Sequence, residues 1–356
     1  MPKRVLFTGH GGFVGHHCLE YFLEKTDWEI ICIDSFRHKG DITRVKEVVG
    51  PDPKNNLRVK TFIHDLTVPF SEPLKNLIFE RKINERGVVE SKPIHMIINM
   101  ASESAVERST TEPVGCLHNN WHLAMNMLEF ARECEGLTHF FQVSTDEVYG
   151  EAPPNGAHKE WDVICPSNPY AASKAAQEAM AISYWRTYGV PVIITNTMNI
   201  IGERQNPEKF LPKIIAKIAT NQKMPIYGEP GNIGSRVYLY AKNMADSLVF
   251  LSDKPVSSYK QLVADNNTAD ARPDRYNVCG DAEFDNLELA QMVAKVMDKE
   301  LNYELIPSES ARPGYDRRYA LDGSKLREMG WEAPFTMEKT LEKIVNWSLE
   351  NPHWII

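Results

Sequence analysis

Short apolar runs break on polar tips along the first half of this chain, with helix-length spacers between them. Arg4 to Thr8 carries Val5-Leu6-Phe7 into a glycine-rich turn, and Glu29 to Asp34 carries Ile30-Ile31-Cys32-Ile33 into an acid. Arg58 to Ile63 ends at His64-Asp65-Leu66, and Ile94 to Met100 at Ala101-Ser102-Glu103-Ser104. Thr138 to Val143 ends at Ser144-Thr145-Asp146-Glu147, and Val190 to Thr197 makes a sixth run. Continuous rather than alternating apolar runs read as parallel strands covered on both faces. Between them, Leu19, Phe22 and Leu23 share one face of a helix after Gly15. Leu117, Trp121, Ala124, Leu128 and Ala131 form an apolar stripe on a helix over 113–135, and Pro169 opens another to about Tyr188. Residues 38–56 read as a charged connection with one helix, and 72–92 as a polar helix closed by Gly87 and Pro93.

This alternation predicts an α/β protein, a Rossmann doubly wound parallel sheet. It weakens beyond Thr197, where Pro, Gly and isolated charges take over, so a smaller α/β lobe is expected over the strand ends. The expected division is residues 1–198 with about 237–276 in the sheet domain, and 199–236 with 277–356 in the lobe. Residues 253–275 read as an exposed insertion. Leu341, Ile344, Val345 and Leu349 predict a packed C-terminal helix, Met337 to Glu350.

Composition narrows the field. The 356 residues are 42% hydrophobic and 25% charged, with net charge −8, which argues against a nucleic-acid surface. No apolar run reaches the ~18 residues of a membrane span. Six scattered cysteines without metal spacing suggest free thiols and a cytoplasmic protein, with Cys18 and Cys32 buried. His10, His16 and His17 lack a further metal partner and read as solvated or helix-surface histidines.

The chemistry sits at the strand tips. Gly9, Gly12 and Gly15 follow a strand and open a helix, the arrangement that lets backbone approach a pyrophosphate at a helix N-terminus. Asp34 lies where a carboxylate grips adenosine ribose hydroxyls, favouring NAD over NADP. Asp65 is placed to bond the adenine amino group, and the small residues Ala101 and Ser102 to admit the nicotinamide ribose. Asp146 and Glu147, adjacent acids ending a buried strand, suggest acid/base work. Val148-Tyr149-Gly150 with Pro153-Pro154 after them opposes a helix there. Tyr170 and Lys174 are four apart on one helix, so the ammonium is expected to lower the phenol from about 10.

Taken together, Thr8 to Gly15, Ala101-Ser102-Glu103-Ser104, Ser144 to Gly150 and Pro169 to Lys174 resemble the extended short-chain dehydrogenase/reductases acting on nucleotide sugars. So do Pro207-Glu208-Lys209, Pro225 to Gly228, Tyr276-Asn277 and Arg312 to Tyr319, and the nearest branch is the dTDP-glucose 4,6-dehydratases. The resemblance implies NAD-dependent 4,6-dehydration of a dTDP- or UDP-glucose type sugar. The steps are oxidation at C4, water loss across C5–C6 and hydride return to C6. It implies Thr145 on the C4 hydroxyl, Tyr170 as base there, Lys174 on the nicotinamide ribose, Asp146 as acid at C6 and Glu147 as base at C5. It adds Phe13, Val14, Leu66, Asn120 and Ser144 at the cofactor. At the substrate it adds Ser104, Asn196, Lys209, Pro225, Tyr227, Arg236, Asn277, Arg312 and Tyr315. It also implies a homodimer through a four-helix bundle. The chain departs from the family pattern at Ala105, where a histidine is usual, and at Asn243, where an aspartate is usual. A nucleotide-sugar epimerase would use the same Tyr170, Lys174 and Thr145. A uronic-acid sugar decarboxylase and a catalytically silent NAD(P)-binding regulator are the remaining alternatives.

Overall fold

The computed structural model describes residues 2–265, 267–307 and 314–355. Seven strands form the main sheet: β1 (Arg4–Thr8), β2 (Glu29–Asp34), β3 (Val59–Ile63), β4 (Met96–Asn99), β5 (His139–Thr145), β6 (Val192–Thr197) and β7 (Asp274–Val278). Their order is β7-β6-β5-β4-β1-β2-β3 and every pairing is parallel. Because side chains alternate across a strand, Val5, Phe7, Ile30, Cys32 and Ile98 enter one core. Leu6, Ile31, Ile33, Ile97 and Phe140 enter the other. Helices α1 (Phe13–Lys25) and α4 (Ala241–Ser252) cover the first face, and α2 (Pro113–Glu133) and α3 (Pro169–Tyr188) the second. The strand order reverses between β1 and β4, which leaves a crevice at their carboxyl ends.

A third core belongs to smaller sheets beside this crevice. Met224–Glu229 pairs with Tyr303–Ile306, and Ser235–Tyr240 pairs with Asn199–Ile201, Glu283–Asp285 and Arg318–Tyr319. Helices Phe210–Ala219, Asn286–Val296 and Met337–Glu350 enclose that core.

Several segments differ from the sequence reading. Residues 42–58 hold two short helices, because Asp41 and Asp52 each cap one and Gly50, at φ +60°, ends the first. The long helix expected over 72–92 stops at Ile78. Beyond it Asn84 accepts hydrogen bonds from the N–H groups of Arg86 and Val88, making a turn that helix cannot accommodate. A two-stranded hairpin, Lys82–Ile83 with Val89–Glu90, results. The 253–275 segment is tied down in part: Trp185 donates to Ser257 O (2.8 Å), and Tyr259–Ala264 is helical.

The three histidines are buried, not solvated. The second lobe covers the start of α1, so His17 meets Glu203 O at 2.9 Å, and the His16 and His17 rings lie 4.0 Å apart. Burial holds His10 and His17 down to about 4 and His16 well below its usual value. The unfolded chain therefore binds protons that the folded chain refuses. Stability should fall as pH drops from about 6.5 towards 4, by about 1.4 kcal/mol per pH unit for each such histidine. His17→Gln keeps a donor for Glu203 O, so thermal melts should show a smaller acid loss than in the parent. An unchanged loss would contradict the assignment.

Candidate functional site

The turn after β1 is built by steric necessity. Gly9 has φ +76°, and a Cβ there would lie 2.9 Å from the Ala101 backbone. A Cβ at Gly15 would lie 2.0 Å from Gly9 O, so α1 could not pack on the turn. No side chain caps α1 at Gly12, and Phe13 and Val14 face the cleft with the first-turn N–H groups of the helix. This open, positively polarised helix end beside a close backbone approach fits a pyrophosphate. At the tip of β2, the Asp34 carboxylate accepts from Gly11 N (3.0 Å) and Phe36 N (2.8 Å), which fixes it at the rim.

The next three residues fasten that rim to three walls. Arg37 pairs with Asp65 and donates to Asn119 (2.8 Å), His38 meets Glu103 (2.7 Å), and Lys39 meets Glu208 (2.8 Å). Thr8 Oγ1 accepts from Met100 N (3.0 Å) and Ala101 N (3.1 Å), holding the loop after β4 against the turn.

At the tip of β5, against the expectation of no helix there, Asp146–Tyr149 makes a single 3-10 turn capped by Thr145. Thr145 Oγ1 donates to Asp146 Oδ1 (2.8 Å), while buried Asp146 Oδ2 and Ser144 Oγ have no partner. Burial, and then the charge of Glu147, push the Asp146 carboxyl up to about 7. Glu147 accepts from Asn168 Nδ2 (3.0 Å), and the same Asn168 caps α3 through Ala171 N (2.9 Å). Asn168 was not among the expected site residues. Its one sequence sign is Asn before Pro169 at a helix start, which spends the amide oxygen on the cap and frees the nitrogen.

Tyr170 and Lys174 both line the cleft. The lysine does not act as expected on the phenol, however. Its ammonium donates to Val143 O and Gln177 Oε1, each at 2.7 Å. Burial, then Glu147 and Asp146, hold the Tyr170 phenol above its ordinary value.

One cleft of about 340 Å³ is lined by Gly9, Gly12, Phe13, Val14, Gly15, Asp34, Asp65, Leu66, Ala101, Ser102 and Ser104. Ser144, Thr145, Asp146, Glu147, Tyr170, Lys174 and Lys209 complete the expected residues along it. Other expected residues stand behind its wall. Asn120 clamps the Glu103 backbone (2.8 and 3.0 Å) and Ser173 (2.8 Å). Asn196 is fully buried and spent on Thr145 O (3.1 Å) and Glu178 (2.7 Å), which corrects its expected place at the substrate. Asn277, on the edge strand β7, is likewise buried and donates to His158 O and Asp322 O. Arg236 donates to Ser235 O, Arg317 O and Asp316 O, with Tyr315 5.5 Å from its guanidinium. Pro225 and Tyr227 lie on a strand of the smaller lobe, away from the cleft lining. Arg312 lies outside the described residues.

A parallel sheet reversing at a glycine turn, with an acid pair at the tip of β5 two strands away, defines a dinucleotide-binding α/β protein equipped for proton transfer. A family model described as GDP-mannose 4,6 dehydratase matches residues 6–344. A relative from Sinorhizobium fredii, a probable dTDP-glucose 4,6-dehydratase, is 32% identical over 99% of this chain and 94% of its own. The crystal structure of dTDP-glucose 4,6-dehydratase from Bacillus anthracis in complex with NAD has a TM-score of 0.79 at 26% identity, covering 99% of this chain and 98% of that one. The fold is also that of Thermus thermophilus UDP-glucose 4-epimerase in complex with NAD, with a TM-score of 0.77 at 24% identity over 97% of this chain and 98% of that one. The chain belongs to the extended short-chain dehydrogenase/reductase family of nucleotide-sugar dehydratases and epimerases.

The raised Asp146 carboxyl has a cost in stability. The folded chain keeps a proton that the unfolded chain releases, so stability declines as pH rises from about 4 to about 7. Asp146→Asn lacks that penalty. Its thermal midpoint should exceed the parent's near pH 8, the gap closing towards pH 4, and a midpoint below the parent's near pH 8 would contradict the assignment.

Proposed function

We propose that this chain is an NAD-dependent 4,6-dehydratase of a nucleoside-diphosphate hexose of the dTDP- or UDP-glucose type. The observation that carries the reading is the acid pair. Asp146 is buried with a free oxygen and holds a proton near neutral pH, and Glu147 is aimed separately by Asn168. An epimerase needs Tyr170, Lys174 and Thr145 but has no use for two such carboxyls. Asp34 at the tip of β2 suits an unphosphorylated adenosine ribose. Arg37 and Lys39, the nearby cations that a 2′-phosphate would seek, are taken by Asp65 and Glu208.

NAD, bound over the glycine turn, would supply a hydride acceptor in its positively charged nicotinamide ring. That ring would oppose the carboxyl charge that, after burial, holds the Tyr170 phenol up. Tyr170 then takes the proton of the C4 hydroxyl, which Thr145 also bonds. The C4 ketone makes the C5 proton acidic, and Glu147 removes it. Asp146 gives its proton to the departing C6 hydroxyl; C6 then regains the hydride taken from C4, and Glu147 returns its proton to C5. Lys209, at the far side of the cleft, meets the diphosphate.

The unit is a homodimer. Val114 (65% exposed), Leu117 (37%) and Trp121 (46%) form a stripe on α2 that its own sheet leaves uncovered. Six free cysteines, and no helix among the described residues long and apolar enough to cross a membrane, fit a cytoplasmic enzyme.

Glu147→Gln should still produce NADH on addition of sugar, while water loss falls by about a hundred- to ten-thousand-fold. Mass spectrometry of the product reads this directly: loss of one water marks the dehydratase, and an unchanged mass marks the epimerase. Unaltered dehydration in the variant would remove Glu147 from its role. Trp121→Glu should shift the sedimentation coefficient from dimer to monomer.

A further inference from the structure

Lys174 is held from behind by a chain of buried amides. An ammonium has three donors. Two of them are taken by Val143 O and by Gln177 Oε1, each at 2.7 Å, so the third is left for the cleft that Lys174 lines. Gln177 is itself fully buried and cannot turn over. Its oxygen also accepts from Gln142 Nε2 (3.0 Å), and its nitrogen donates to Asn120 O (2.7 Å). Gln142 in turn accepts from Asn99 Nδ2 (2.9 Å), and Asn99 accepts from Thr8 Oγ1 (3.1 Å). Thr8 Oγ1 is committed to this direction, because it already accepts from Met100 N and Ala101 N beside the glycine turn. Every amide therefore points the same way, and a flip of Gln177 would set an N–H against the ammonium.

We propose that Gln177 is a positioning residue that aims the free N–H of the Lys174 ammonium into the cleft and keeps that ammonium charged, with Gln142, Asn99 and Thr8 fixing its orientation. This rests on the reading of Lys174 as an ammonium working on the cofactor ribose. Gln177 lies three residues from Lys174, one helical turn on the same face of α3. Burial has already pulled Lys174 down to about 8, with Glu178 opposing, so loss of one acceptor falls where it is felt near neutral pH. The titratable groups beside it are Glu178 on α3 and, along the same cleft, Tyr170 on α3 with Asp146 and Glu147 at the tip of β5. All of them remain in the variants below.

The test compares Gln177→Leu and Gln177→Glu, with NAD bound, by the pH dependence of sugar-dependent NADH formation, a step that precedes the proton transfer from Asp146 and so does not follow its titration. Removing the acceptor should move the alkaline limb down by about one pH unit. The near-isosteric carboxylate should move it up by about one unit, while both variants lose thermal stability. A merely structural glutamine would lower stability in both and leave the limb where it is. That result, or shifts of the same sign, would overturn the proposal. Lys174→Met separates the two levels of the argument. If it dehydrates at the parent's rate, the reading of Lys174 fails and takes the proposal with it. If it is inactive while both Gln177 variants keep the parent's limb, only the role of Gln177 fails.

Discussion

Two carboxyl groups on consecutive residues cannot both ionise freely where water is excluded. That constraint governs the tip of β5. Asp146 is buried and keeps its proton, and Glu147 is turned to a separate donor, Asn168, at the start of α3. The two neighbours thereby acquire different chemistry from one dipeptide. The rest of the site follows from where that tip lies. It stands one strand from the reversal point of the sheet, so the turn after β1 and the loop after β4 open onto the same cleft.

Much of this is legible in the residues because the requirements are local. Gly9 and Gly15 are dictated by contacts within one turn, and Pro169 to Tyr188 by a cap, a proline and a closing Gly189 at φ +73°. Strand tips announce themselves when an apolar run meets Asp34 or Asp146. The longer-range facts are not written this way. Asn196 and Asn277 are polar residues in strands whose neighbours, not their own sequence, decide that they face inward. The partners of Lys174 lie on two elements, Gln177 on α3 and Val143 on β5, so spacing along α3 relates it to Tyr170 and Gln177 but not to Val143. The hairpin after Ile78 was hidden by composition: charged residues suit a helix surface and a turn alike, and the side chain of Asn84 decided between them.

The histidines at the start of α1 carry the same lesson. Seen along a helix next to glycines they look like surface residues. The smaller lobe returns to cover them, with Glu203 against His17 and the Tyr240 hydroxyl on the Glu203 carboxylate. Neutral imidazoles then serve as packing behind the phosphate turn, and the two lobes share one seam there. Asn243, where the family pattern has an acid, both donates to Phe335 O and accepts from Phe335 N, a pair of bonds open to a carboxamide but not to a carboxylate.

The loop after β2 is tied to Asp65, Glu103 and Glu208, which belong to three separate parts of the wall. The Arg37–Asp65 and Lys39–Glu208 pairs at this surface are each worth little and are weakened by salt. Together with His38–Glu103 they act as a latch, since the loop swings clear only when all three open at once. The mouth of the cleft should then answer to ionic strength, quick to exchange its contents in concentrated salt and slow in dilute buffer. A coenzyme returned to its starting oxidation state in every cycle can remain behind such a latch through many turnovers.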